Sequence, residues 1–213
     1  MANDRNAKRF TTGKGELVGF NAVSTPSTMF DPEGKYTIQI LISKEEGEAI
    51  LADALKIRNA QYKEKKGIVQ DFERVKPYIK VEKNKDTGEI IKQTPDPQGR
   101  YVLKADQKAQ ITCKDKRIIN ISIPVVDCKG QPVKGAVKLG EGSIVKLNVE
   151  LSGYSVGGKT GVSLKLKAVQ IIDLVEYTGS LGFGEEDGSF EADDEVEETK
   201  QAETTEADDE EGF

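Results

Sequence analysis

Apolar and polar residues alternate with a period of two through most of this chain, the pattern of strands that keep one face against a core. KYTIQILI sets Tyr36, Ile38, Ile40 and Ile42 on one face and Thr37 and Gln39 on the other. IVKLNVEL places Val145, Leu147, Val149 and Leu151 opposite Lys146, Asn148 and Glu150. GVSLKLKAVQIIDLVEY begins the same way, with Val162, Leu164 and Leu166 against Ser163, Lys165 and Lys167. ELVGFNAV, PYIKVEK, RYVLKA, KAQITCK and RIINISIPVV are shorter strand candidates, separated by turn residues in NKDTGE, TPDPQG and DCKGQP. The period changes once. SKEE, from Ser43 to Glu46, reads as a capping box, and Ile50, Leu51, Ala54, Leu55 and Ile57 then form the apolar side of a helix. Lys63, Lys65 and Lys66 suit its negative end, and Gly67 is predicted to stop it.

Many short strands, one helix and glycine-rich turns favour a small closed β-barrel over a sandwich, because one helix can plug a barrel end. The fold class expected is mainly β. The five-stranded oligonucleotide-binding (OB) barrel fits this count, with surplus strands forming hairpin extensions. At 213 residues the chain suits one domain of ordinary size. Residues 1–14 read as a flexible basic arm, 15–178 as the barrel domain, and 179–213 as an acidic tail too poor in apolar residues to fold.

Charge sharpens this division. The chain carries −6, but residues 185–213 hold 15 acidic side chains and one basic, a net of −14. Residues 1–184 hold 30 basic and 22 acidic side chains, a net of +8. A basic body points to a polyanionic partner, and the acidic run reads as an interaction tail. The absence of histidine removes the commonest general base and metal ligand. Neither Cys113 nor Cys128 has a partner at metal-ligand spacing. The expectation is a cytosolic protein that is not an enzyme and uses no cofactor, with no membrane span or secretory leader.

The candidate binding residues lie on the polar faces. Tyr154 falls in SGYSVGGKTG, read as a loop between the last two strands, where few neighbours can build an apolar pocket around its ring. It is a candidate stacking platform, with Lys159 placed to meet phosphate; a ring folded over the barrel rim is the other reading. Lys146, Lys165 and Lys167 share one polar face opposed by Glu150. Arg100 and Lys104 on RYVLKA, and Lys108 and Lys114 on KAQITCK, extend the same outward track. Tyr101 shares a face with Leu103 and Ala105 and reads as core.

ISIPVVDCKG, GEGSIVKLNVELSGY and VSLKLKAVQIIDLVEY, followed by an acidic tail ending in Phe213, resemble the single-stranded-DNA-binding replication proteins of tailed bacteriophages. The resemblance covers residues 118–184 and extends to FDPEGKYTIQILIS and the helix after it. It implies an OB barrel that coats single-stranded DNA in replication, recombination and repair, often as a homodimer, in the cytoplasm of the infected host. It also implies binding of the phage polymerase and helicase/primase through the acidic tail. Tyr154 matches the loop aromatic of such proteins, Lys146 a strand lysine near the DNA path, and Lys8 and Arg9 their basic arm. Glu33 departs from the pattern where a basic residue is expected, with Lys35 two positions on.

The resulting expectation is a sequence-tolerant single-stranded-DNA binder in which a basic groove follows the backbone and rings stack on bases. Phe20, Phe30 and Tyr78 are further candidate platforms. The tail is expected to occupy the groove until DNA displaces it, since tethering gives it a high effective concentration there. Asp208, Asp209, Glu210, Glu211 and Phe213 are expected to form the partner address, the ring adding a short-range apolar contact to a diffuse charge. A protein-interaction adaptor and an RNA-binding barrel stay open as alternatives.

Overall fold

The long alternating segments become the longest strands. In the computed structural model, which describes residues 7–177 apart from Phe30, Lys85, Asp86 and Lys114, the chain runs β1 (Ala7–Thr11), β2 (Gly15–Leu17), β3 (Ala22–Ser27), β4 (Lys35–Ile42) and α1 (Lys44–Lys65). It continues through β5 (Ile68–Val69), β6 (Val75–Pro77), β7 (Ile79–Lys83), β8 (Ile90–Pro95) and β9 (Tyr101–Lys108). It ends with β10 (Gln110–Thr112), β11 (Ile118–Asn120), β12 (Val125–Val126), β13 (Ile144–Val156) and β14 (Lys159–Asp173). The fold is mainly β with one helix among the described residues. Pairing runs from β13 to β2, β4, β9 and β14, and β14 pairs again with β13, so these five strands form a closed circuit in which β9 and β14 meet at a single bridge. β7–β8 and β10–β11 are separate two-stranded ribbons off this circuit, as surplus strands are expected to be.

The alternation decides what goes inside. Ile38, Ile40, Leu103, Leu147, Val149, Leu151, Leu164 and Leu166 are 0–1 % exposed, each contributing roughly 1.5–3 kcal/mol by leaving water. Helix α1 packs against β6, β9, β13 and β14 through Gly47, Ile50 and Ala54. The Ser43 hydroxyl accepts from the Glu46 amide at 3.2 Å, the expected half of the capping box. The other half is diverted: the Glu46 carboxylate accepts from the Gly13 amide at 2.9 Å and ties the helix start to the β1–β2 connection. Leu55, expected on the apolar side, is 46 % exposed, while Ile50 and Ala54 are buried and Leu51 and Ile57 pack against the core.

Two expectations are corrected. Residues 7–11 are not part of a flexible arm. β1 pairs with β13 from Ala7↔Ser152 to Thr11↔Asn148, Phe10 packs on the core, and Thr12 is buried with its hydroxyl accepting from Leu147 N. A polar composition hides this, because the driving term is the open edge of a 13-residue strand that must be covered. The second correction concerns SGYSVGGKTG, which is not a loop. β13 runs through Val156 and β14 starts at Lys159, so the connection is Gly157–Gly158 alone, with φ of 57° and 74°. Two consecutive positive φ values define the tight hairpin turn that matches strand twist, and glycine adopts them without steric cost. Tyr154 therefore sits on a strand. The tail, 179–213, lies outside the described residues.

Candidate nucleic-acid interface

β9 and β14 run parallel but share one bridge, Lys165↔Asp106, and then part. The first half of β9 pairs instead with β6, so the chain from β5 to β6 crosses the resulting gap. This leaves an open, mainly polar cleft of about 770 Å³. Tyr154, Val162 and Ser163 form one wall, Gln39, Val102 and Lys104 the floor, and Gln70, Asp71, Glu73, Arg74 and Lys76 the other wall.

Each element aims its side chains by parity. On β9, Leu103 and Ala105 are buried, so Val102, Lys104 and Asp106 face outward, with Lys104 opposite Gln39 of β4. On the crossing segment Val75 is 2 % exposed, which turns Arg74 and Lys76 the other way. Arg74 Nη1 stands 2.6 Å from Asp106 Oδ2, and Lys35 Nζ 3.0 Å from it. The Arg74 contact is proximity without hydrogen-bond alignment, since that oxygen accepts no hydrogen bond. Lys76 and Lys104 make no ion pair with the described residues, so both present a full charge to the cleft. The Tyr154 wall is fixed from behind: Ile68 N donates to Gly158 O at 2.7 Å, Gln70 N to Thr160 O at 2.8 Å, and Thr160 Oγ1 to Lys66 O at 2.5 Å. The chain leaving α1 thus straps the hairpin tip in place.

Of the residues expected to bind, Tyr154 and Lys104 meet in this cleft. Lys159 is exposed at the hairpin tip, outside the lining. Lys146 pairs with Gln170 at the far end of β13, eight residues from Tyr154 and thus about 26 Å along the strand. Lys165 and Lys167 lean on Glu150 at 3.9 and 3.4 Å.

Arg100 is a correction. It precedes β9 and does not join the outward track, because two carboxylates hold it: Asp96 at 2.9 and 3.1 Å and Glu16 at 2.9 Å. The Arg100 hydrogen bonds hold the Asp96 carboxyl below its ordinary value, and Asp96 raises the guanidinium in return. Lys108 bonds Glu33 at 2.9 Å, which raises its pKa. Lys8 pairs with Asp53 of α1, and Arg9 donates to Asn148 Oδ1 at 2.6 Å across the β1–β13 seam.

Phe20 is 56 % exposed but lines a different, mainly apolar cavity of about 660 Å³ with Val137, Leu139 and Tyr177. With Lys138 as that cavity's one cation, it offers little to a polyanion. Tyr78 is half-buried, tied by its backbone to Arg100 and Asp96. Phe30, Lys114 and the tail residues Asp208, Asp209, Glu210, Glu211 and Phe213 lie outside the described residues.

Sequence reasoning missed Arg74 and Lys76. The available signal was ERVKP, where a lone Val75 between two cations marks a strand with one apolar contact and two outward charges.

Comparison with known proteins gives a consistent family. A crystal structure of gp2.5, a single-stranded DNA-binding protein encoded by bacteriophage T7, superposes with a TM-score of 0.57 at 18% identity, covering 87% of this chain and 100% of that one. The single-stranded DNA-binding protein from bacteriophage Enc34 in complex with ssDNA gives a TM-score of 0.51 at 14% identity, covering 79% of this chain and 88% of that one. These likenesses describe the fold. Comparison with curated protein sequences gives no match. The family described as Enterobacter phage Enc34, ssDNA-binding protein, matches residues 11–201, most of the sequence, and the chain belongs to that family.

Proposed function

We propose that this chain binds single-stranded DNA with little sequence preference, in the cleft between β6, β9 and β14. The observation that carries this is the convergence of one half-buried ring, Tyr154, with the cations Arg74, Lys76 and Lys104 around a single open groove. A ring supplies stacking, which every base can use, and the cations supply backbone contacts; neither reads sequence. Membership of a family described as ssDNA-binding supports the ligand. The closed five-strand circuit with a parallel β9–β14 contact supports reading the core as an OB barrel.

The test is titration of a labelled single-stranded oligonucleotide over a salt series. Each phosphate contact gives a log–log slope of roughly −0.7, so the two unpaired cleft lysines, Lys76 and Lys104, predict a slope near about −1.4. A slope near zero sinks the reading, and preference for RNA in a competition would move it to the other polymer.

The biological role proposed is phage DNA replication, recombination and repair in the infected host cytoplasm, with the protein acting as a homodimer. Its acidic segment, with Asp208, Asp209, Glu210, Glu211 and Phe213, is proposed to recruit the polymerase and the helicase/primase. The −14 charge of that segment is also proposed to compete with DNA for the basic body. Removing residues 185–213 should therefore tighten DNA binding most at low salt. Deleting Phe213 alone should spare DNA affinity and abolish partner capture in a pull-down. An indifferent pull-down would leave charge as the only recruiting force.

A further inference from the structure

We propose that Gly161 is a positioning residue for DNA binding: its missing side chain makes the bed on which the Tyr154 ring lies, and so sets the height of the stacking face. This deepens the stacking role proposed for Tyr154 and rests on it. Tyr154 and Gly161 are direct cross-strand partners in the β13–β14 ladder. A Cβ added at Gly161 would stand 2.6 Å from the Tyr154 hydroxyl oxygen, 2.8 Å from Cζ and 3.0 Å from Cε1. The first two are distances that real Cβ atoms essentially never show, so the tip of the Tyr154 ring fills the space that a side chain at 161 would take. The ring tip is thereby spent against the sheet, while Tyr154 also lines the cleft.

The glycine is needed here for space, not for backbone freedom. Gly161 does not adopt a left-handed φ, unlike Gly157 and Gly158, so alanine fits its backbone. The sheet beneath cannot sink to make room. On its inner side Gly153 lies against α1, where an added Cβ would meet Gln61 and Ile57 at 3.2 and 3.3 Å. Thr160, next to Gly161, is 0 % exposed and held by the helix strap. A methyl group at 161 must therefore displace the ring toward the cleft, where it would block the base it should support. Aromatic–glycine cross-strand pairs are a general packing device of sheets; here the device falls at the ligand face.

The test is a double-mutant cycle on the full chain, with a dye-labelled single-stranded DNA oligonucleotide as probe and thermal unfolding as the control. Tyr154→Ala should weaken binding by about 5- to 150-fold, the worth of one stacked base. Gly161→Ala should weaken it by up to the same factor while remaining folded. The double variant should match Tyr154→Ala within about twofold, because without the ring there is nothing for the methyl to displace. Tyr154→Phe in the Gly161→Ala background should recover part of the loss, since the hydroxyl is the nearest atom. Unchanged binding by Gly161→Ala, or losses that multiply in the double variant, would overturn the proposal. So would a Gly161→Ala chain that fails to fold with either residue at 154, because the sheet and not the ring would then be yielding. If Tyr154→Ala itself binds normally, the stacking role fails first and is seen to fail separately.

Discussion

The two ends of the β13–β14 ladder look alike in sequence and differ in structure. At one end Lys146, Lys165, Lys167 and Arg9 share an outer face, and by count this is the more basic half. Yet Glu150 draws in both Lys165 and Lys167, and Arg9 is bonded to the neutral Asn148 amide. Lys146, without an ion pair among the described residues, stands about 26 Å along the strand from the ring. At the other end Tyr154 and Ser163 face a groove whose cations come from other strands, with Lys76 and Lys104 unpaired among the described residues. A lysine whose charge is met by a neighbouring carboxylate offers little to a phosphate, since the ligand must displace that partner first. The number of cations on a face is thus a poor guide to a polyanion site. What counts is how many remain unpaired beside a ring.

The largest effect expected is at the ring. Tyr154→Ala should cost about 1–3 kcal/mol of single-strand affinity, and Tyr154→Phe almost nothing, as measured by oligonucleotide titration. Equal losses from both would assign the hydroxyl a role and break the stacking side of the comparison.

Arg100 offers a contrast of similar size in a different quantity. Arg100→Gln should lower stability by roughly 1–3 kcal/mol, the worth of hydrogen bonds to a charged group, while leaving DNA affinity unchanged. Asp96 is held below its ordinary value by Arg100, so its stabilising contribution is complete above the unfolded carboxyl pKa of about 3.9 and is lost as pH falls through the lower folded value. Thermal midpoints should therefore drop below about pH 4 in the native chain and drop less in an Asp96→Asn variant. A DNA-binding defect in Arg100→Gln at full stability would return this residue to the interface.

Smaller effects separate the two ends directly. Removing Lys76 and Lys104 together should flatten the salt slope by about 1.4, whereas Lys165→Ala with Lys167→Ala should change it by much less. The reverse ranking would move the DNA path to the paired face. The smallest effect is that of Glu150→Gln. It should strengthen binding by a few tenths of a kcal/mol, as expected when an exposed ion pair releases two lysines. No gain at low salt would mean that those lysines lie off the path altogether.

Much of this molecule is written along the chain. Alternation alone assigns the buried faces of β4, β13 and β14, since a period of two is what a strand with one dry face requires. Ser43 marks the helix start because a local hydroxyl caps a local amide, and Gly157–Gly158 closes a hairpin because the turn needs two positive φ values. These are near-neighbour terms, and they carry the same meaning wherever the segment sits. The tertiary structure decided the rest. Residues 7–11 read as part of a flexible basic arm but become β1, because the edge of β13 lies more than 130 residues away in sequence. Arg100 and Lys104 lie four residues apart, and only folding brings Glu16 to one and leaves the other open. The cleft itself depends on β9 and β14 meeting at one bridge and then diverging, with Arg74 and Lys76 carried across the gap. Charge pairing and cleft shape are set by distances through space, so a sequence can name the charges but not their partners.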